Sequence, residues 1–258
     1  MEHTEQRAPS HAWALVGEWE LRDLWLGGRG LLLSLAFSIL VSVLTYLTAT
    51  NKALNFLEQR ESVNLTLQVA IAVGALLALV AAADSVSGER ERGTFETLLL
   101  APVPRLQLVL GKLVGALSLW LAAFALTIPY VWFLGRGVGI VGDTLATGAV
   151  VGTLLAVFLI SLGGLISVFA GSNRASLSVS LFLLLALFAP TQFPTGAQKG
   201  WFGEFLLRAN PLTAGEHYVG KIVVDGHSWS QDVSWLTSPL LAAVAGARFV
   251  RLTRGTSR

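Results

Sequence analysis

The sequence predicts an all-α, polytopic membrane protein with six transmembrane helices, and three observations predict this fold class. Of the 258 residues, 53% are hydrophobic and only 13% are charged, whereas soluble domains average about 25% charged residues. The mean hydropathy is +0.65. Charged residues are also missing from several stretches of about twenty residues, the length that a helix needs to cross a bilayer. This composition excludes an ordinary soluble domain and a disordered chain, and a net charge of +2 does not suggest nucleic acid as a partner.

Six charge-poor windows mark the predicted spans. They lie at about 30–50, 63–83, 113–134, 145–171, 175–190 and 233–249. The fourth window is long enough to tilt or kink, with Gly163–Gly164 as its weak point. Pro190 and Pro194 are expected to end the fifth helix. The sixth window is the shortest, and it can cross the bilayer if Arg248 extends its charged group toward the interface.

The distribution of basic residues predicts that both termini are cytoplasmic. In this orientation 12 of the 18 lysines and arginines lie on the cytoplasmic side, as the positive-inside rule requires. The predicted organisation is a cytoplasmic N-terminal segment over 1–28, a six-helix membrane domain over 29–250 and a cytoplasmic tail over 251–258. The acidic N-terminal segment predicts no cleaved targeting peptide.

The chain lacks the residue patterns of a catalytic or cofactor site. There is no cysteine, which excludes disulfides and thiolate chemistry. The pair Gly111–Lys112 leads into a hydrophobic helix and is not a phosphate-binding loop. His217 and His227 share a loop with Glu216 and Asp225, but this loose spacing favours solvated loop residues over a metal site. The sequence therefore predicts no enzymatic activity and no cofactor or metal bound by this chain.

The predicted spans also lack a site for ion coupling. No Asp, Glu, Lys or Arg lies near the middle of any of them, and proton- or sodium-coupled transporters usually need such groups. A secondary transporter is therefore disfavoured, and energy for transport would come from elsewhere. Two small-residue patterns, Gly111-x-x-x-Gly115 and Gly148-x-x-x-Gly152, could permit close helix approach, although generic packing is their commoner meaning.

Residues 84–112, between the second and third spans, form the most distinctive segment. Charges of alternating sign over 89–92 predict a solvated stretch. Phe95, Leu98 and Leu99 then follow at the spacing of one helical face. The pattern predicts a short helix parallel to the membrane, with one apolar and one charged face. Such a helix fits a position on lipid headgroups and a position against a partner protein equally well.

The same segment resembles ABC type-2 permeases, the membrane subunits of ATP-driven exporters. The motifs that carry the resemblance are Glu-Arg-Glu-Arg-Gly-Thr-Phe-Glu-Thr-Leu-Leu over 89–99, Pro-Val-Pro-Arg over 102–105 and Leu-Val-Leu-Gly-Lys over 108–112. A weaker similarity, over 210–225, is to the loop before the last helix in two branches of the family. These are the gliding-motility and nitrous-oxide-reductase-maturation branches, whereas the first segment is also similar to the drug-export branch.

The resemblance implies a permease subunit that couples ATP hydrolysis by a separate subunit to substrate export. Its implied partners are two ABC ATPase subunits, which bind ATP and Mg, and a second permease subunit, as a homodimer or a heterodimer, in the lipid of a prokaryotic inner or plasma membrane. It further implies two short extracellular re-entrant helices over about 190–224. It also implies a helix along the inner membrane surface, for which residues 12–26 are the candidate, although their charges scatter around the helical wheel. No nucleic acid is implied, and the residues of the substrate path are not identified.

In the resembled family, the helix between the second and third spans is the coupling helix, which sits in a groove of the ATPase. Carried over by position, the docking residues are Glu89, Arg90, Glu91, Arg92, Gly93, Thr94, Phe95, Glu96 and Leu98. Phe95 and Leu98 are the candidate apolar anchors, and Arg92 and Glu96 are the charges that would set the register.

Two other functions remain open at this point. The chain could be a membrane anchor that couples a cytoplasmic ATPase to an extracytoplasmic machine without itself moving a substrate. It could also be a stand-alone channel or secondary carrier, which predicts activity from this chain alone in liposomes.

Overall fold

The computed structural model describes residues 12–50, 56–93, 105–192 and 200–252, and the regular elements in these ranges are all helical. The α-helices are α1 (Ala12–Leu26), α2 (Arg29–Ala49), α3 (Phe56–Glu91), α4 (Arg105–Gly135), α5 (Val141–Phe169), α6 (Asn173–Phe188), α7 (Trp201–Ala209), α8 (Pro211–Val223) and α9 (Thr237–Leu252). Single 3-10 turns over Ala189–Gln192 and Val233–Leu236 follow α6 and precede α9. The prediction of an all-helical chain is confirmed.

Four helices of the described chain are long and apolar enough to cross a membrane. These spans are Arg29–Ala49, Glu58–Glu91, Gln107–Gly135 and Val141–Phe169. They overlap the first four predicted windows, and α6 is a shorter apolar helix at the fifth. At the sixth window the α-helix begins only at Thr237, because residues 233–236 form a 3-10 turn.

The core forms where α3 packs against α4 and α5. Trp120 of α4 is 1% exposed, and its ring lies against two glycines. A Cβ atom would come within 2.3 Å of the ring at Gly152 and 3.1 Å at Gly74. The indole N–H of Trp120 donates to the Thr153 hydroxyl, 3.2 Å away, so the buried polar atom is satisfied. The glycines therefore create the space that the largest core side chain fills.

Gly163–Gly164 is a point of close helix contact within a continuous α5. A Cβ at Gly163 would lie 2.8 Å from the carbonyl oxygen of Leu79, and one at Gly164 would lie 2.9 Å from the Leu113 side chain. The helix continues without interruption to Phe169. The expected weak point is therefore a place where α3 and α4 approach α5 closely.

Large apolar side chains cover the outer faces of α2 and α6. The most exposed are Leu31, Leu32, Leu35, Tyr46, Phe182 and Leu185. In water, a contiguous surface of this kind would cause association. In a bilayer it contacts lipid tails at no such cost, which fits the membrane location that the sequence predicts.

Candidate functional site

The segment that the sequence singles out begins on the last turn of α3. Glu89, Arg90 and Glu91 continue the helix that crosses the core, and they do not begin a separate helix. Gly93 has a φ of +73°, the left-handed conformation in which glycine commonly ends a helix. Thr94, Phe95, Glu96 and Leu98 lie outside the described residues, so their apolar stripe stays a prediction.

Glu89 is buried, which corrects the prediction that the whole stretch 89–92 is solvated. It is 8% exposed, because Lys112 of α4 and Glu20 of α1 lie beside it. The Lys112 ammonium, itself 7% exposed, donates to Glu89 and, over 2.5 Å, to Glu20. One lysine thus joins three helices, and a buried charge of this kind depends on its partners.

Two glycines allow α1 to reach this lysine. A Cβ at Gly111 would lie 2.5 Å from the Val16 side chain and 2.9 Å from the backbone nitrogen of Gly17. One turn further along α4, a Cβ at Gly115 would lie 3.4 Å from that of Glu20. The Gly111-x-x-x-Gly115 pattern is therefore a surface of close contact with α1. Helix α1 occupies the predicted range 12–26, and its position along the membrane surface stays a prediction.

A second polar group joins α3 to the beginning of α6. The Asn173 amide donates to Asp84 Oδ1 over 2.7 Å, and Arg92 donates to Asp84 Oδ2 over 3.3 Å. The hydroxyl of Ser87 lies 3.0 Å from the amide oxygen of Asn173. Gly88 leaves room for this arrangement, because a Cβ there would lie 2.2 Å from Asp84 Oδ1.

The end of α5 is bound to the same part of α3. The Ser167 hydroxyl accepts hydrogen bonds from the backbone N–H groups of Val86, at 3.0 Å, and Ser87, at 2.9 Å. Arg90 donates to the carbonyls of Ala170, at 2.7 Å, and Val168, at 3.2 Å. A cation is favourable there because carbonyl oxygens at a helix C-terminus are partly negative and lack helical partners.

We call this region the polar end of the bundle: residues 84–93, at the end of α3, with Glu20, Lys112, Ser167 and Asn173. Of the predicted docking residues in it, Glu89 is buried and the others are exposed. Arg90 and Arg92 nevertheless make the hydrogen bonds given above. The sequence analysis missed Glu20, Ser167 and Asn173. No local signal marks them, because 92 residues separate Glu20 from Lys112.

The segment predicted to hold two short helices does contain two, α7 and α8. They meet at Asn210, whose side-chain oxygen accepts from the Leu212 N–H at 3.0 Å and whose amide donates to the Leu187 carbonyl at 2.7 Å. Pro211 occupies the first turn of α8, where its missing N–H costs nothing. We call α7 and α8, with the residues up to 236, the short-helix end.

A cavity of about 380 Å³ at this end is lined by Gln68, Thr213, Glu216 and His217, among others. Burial raises the pKa of Glu216 to about 7. Burial also lowers the pKa of His217, and nearby Lys221 adds to that effect. The ring of His217 lies 4.1 Å from that of Trp235, centre to centre.

The histidines and acids of the short-helix end do not assemble a metal site. His227 is paired with Asp232 at 2.7 Å, and Asp225 is paired with Lys221 at 2.9 Å. Within the part of the chain that the structure describes, no three His, Asp or Glu side chains cluster as metal ligands would.

A family model described as "ABC-2 family transporter protein" matches residues 16–246. The match begins within α1 and ends within α9, so it covers both the polar end and the short-helix end. No curated protein is significantly similar to the chain in sequence.

Proposed function

The chain belongs to the ABC-2 family of transporter membrane proteins, whose members are non-catalytic permease subunits, and on this premise we propose that it is an exporter. ABC-2 permeases generally pair with ATPase subunits. In the proposed assembly, two ATPase subunits bind ATP and Mg, and this chain pairs with a second permease subunit. Closure of the ATPase subunits on ATP moves the permease halves and opens a path outward.

We propose that residues 89–98 are the contact with the ATPase. The observation that carries this proposal is the burial of Lys112 between Glu20 and Glu89, at the base of that segment. Because α3 is one continuous helix to Glu91, a displacement of the segment acts directly on the core. The bonds to α1, α4, α5 and α6 then transmit the displacement to four further helices.

The proposed topology has six spans, formed by α2, α3, α4, α5, α6 and α9, with both termini in the cytoplasm. The polar end then lies at the cytoplasmic surface. Helices α7 and α8 form the re-entrant pair on the opposite side, where the break at Asn210–Pro211 lets the chain turn. The domain limits remain those proposed from the sequence, with the membrane domain over 29–250.

Co-purification tests the docking contact. We expect Phe95→Asp, and the double reversal Glu91→Lys with Arg92→Glu, to reduce the amount of ATPase that co-purifies from detergent by about tenfold, as for the loss of an interface anchor. The matched control reverses an exposed pair at the other end, Glu204→Arg with Arg208→Glu, which are 3.0 Å apart. Equal ATPase recovery from all variants would overturn the docking proposal.

Substrate distribution distinguishes the exporter from the anchor. In cells carrying the Glu91–Arg92 reversal, an exporter predicts that substrate accumulates inside the cell. A phenotype with unchanged substrate distribution would favour a membrane anchor. Activity in liposomes from this chain without an ATPase would contradict both.

A further inference from the structure

A cavity of about 440 Å³ opens at the polar end, between α1, α2, α3, α4 and α6. Its volume lies within the range of small-molecule binding sites. One part of its wall is apolar and comes from four different helices, with Leu24, Leu33, Val80 and Leu177. The remainder carries charged groups of both signs. A ligand that fills this space must therefore be amphipathic.

Most of the charged groups that line the cavity are already paired. Lys112 is bound to Glu20 and Glu89, and Arg92 to Asp84. Asp23 and Arg29 are different, because both are exposed and neither has an ion-pair partner among the described residues. One carboxylate and one guanidinium are thus available to a ligand.

The turn between α1 and α2 holds these two groups at the same cavity. The Gly27 N–H donates to the Asp23 carbonyl at 2.9 Å. Gly28 follows with a φ of +82°, a conformation that other residues adopt only with strain. Arg29 is then the first residue of α2. The spacing of the two charges is therefore set by backbone geometry and not by flexible side chains alone.

We propose that this cavity binds the phosphate–ammonium headgroup of a zwitterionic phospholipid. Arg29 contacts the phosphate, since a guanidinium matches phosphate oxygens in geometry and charge, and Asp23 contacts the ammonium group. The acyl chains leave along the apolar wall that Leu33, Val80 and Leu177 form. This inference rests on the membrane location of the chain and is independent of the proposed contact with the ATPase.

Two other ligands fit the lining less well. An anionic phospholipid would pair its phosphate with Arg29, but it has no ammonium group to pair with the carboxylate of Asp23. A soluble zwitterion would satisfy both charges but leave the apolar wall in contact with water. Of the three ligands, only the zwitterionic phospholipid pairs with both charges and also covers the apolar wall.

Native mass spectrometry of the full chain, delipidated in detergent, tests the proposal. The probes are a phosphatidylethanolamine, a phosphatidylglycerol with the same acyl chains, and soluble glycerophosphoethanolamine. We expect the first to bind about tenfold more tightly than the second, as for one charge-assisted contact, and the soluble headgroup to bind at least tenfold more weakly than its lipid.

Three variants assign the contacts. Arg29→Gln should weaken binding of both lipids about tenfold, whereas Asp23→Asn should abolish the preference for phosphatidylethanolamine while leaving phosphatidylglycerol bound. The control is Arg22→Gln, which alters an exposed arginine paired with Glu18 at 2.7 Å outside the cavity lining. Equal binding of the two lipids by the unaltered chain, tight binding of the soluble headgroup, or an equal effect of Arg22→Gln would each overturn the proposal.

Discussion

The polar end and the short-helix end arrange their charged groups in opposite ways. At the polar end, Lys112 is buried and pairs between helices, with Glu20 and Glu89. At the short-helix end, the pairs Glu204–Arg208 and Lys221–Asp225 lie within single helices or their ends, four residues apart.

The difference has a mechanical consequence. An exposed pair within one helix adds about 0.3–0.5 kcal/mol and does not hold that helix against another. A buried pair between helices cannot separate without exposing or stranding a charge. Lys112 therefore holds α1, α3 and α4 together at the polar end. The pairs Glu204–Arg208 and Lys221–Asp225 hold no helix against another.

Removal of one lysine from each end gives the largest expected contrast. Lys112→Met leaves two carboxylates together without their cation, and we expect the free energy of unfolding to fall by about 3–5 kcal/mol. Lys221→Met removes a partly exposed pair and should cost less than about 1 kcal/mol. Unfolding of both variants in mixed micelles measures the two values.

A companion variant separates charge from packing at the polar end. Adding Glu20→Gln and Glu89→Gln to Lys112→Met removes the stranded charges, so it should recover part of the lost stability. Equal costs for Lys112→Met and Lys221→Met would contradict the contrast between the two ends.

The pH dependence of stability should come from the short-helix end through Glu216. Its pKa is raised from 4.5 to about 7 in the folded chain, so the folded state holds a proton that the unfolded state loses between these values. The free energy of unfolding should therefore fall as the pH rises from about 4.5 to about 7, by up to about 3 kcal/mol, and then level off.

Glu216→Gln should remove this fall in stability and make the variant more stable than the unaltered chain at pH 8. The lowered pKa of His217 acts in the opposite direction and stays in the variant. The measurement is the unfolding temperature in detergent from pH 5 to pH 8. Glu204→Gln, at an exposed glutamate of the same end, is the control and should leave the pH dependence in place. A Glu216→Gln profile that follows the unaltered one would show that other groups are responsible.

The sequence predicts the helices well because their signal is the absence of charge over the thickness of a bilayer. The error at Glu89 follows from the same signal. Charges over 89–92 suggest a solvated stretch, but α3 continues to Glu91, and Glu89 is buried beside Lys112, which also binds Glu20. Such partners are distant in the chain, and composition or periodicity gives no information about them.

The sequence likewise predicted some features of the candidate site and missed others. A family motif predicts the docking segment, which stays a prediction. The family resemblance implied two short helices over about 190–224, where the structure has α7 and α8. The burial of Glu216 depends on how α8 packs beside α3, which no local pattern encodes. The glycine spacing predicted part of one contact. Gly111 and Gly115 suggested a close approach of another helix, but only the structure identifies that helix as α1.

Substitution of a glycine by alanine at each end should give the smallest changes in the free energy of unfolding, a loss at the polar end and a gain at the short-helix end. At Gly111 a Cβ would lie 2.9 Å from the Gly17 backbone nitrogen, so α1 must move, and we expect Gly111→Ala to cost about 1–3 kcal/mol. At Gly220 of α8 the nearest atom is 3.9 Å away, so Gly220→Ala should gain up to about 1 kcal/mol from helix propensity alone. Unfolding in mixed micelles measures both. If Gly220→Ala also destabilised the chain by more than about 1 kcal/mol, the space beside Gly220 would be as restricted as that beside Gly111, and the contrast between the two glycines would be lost.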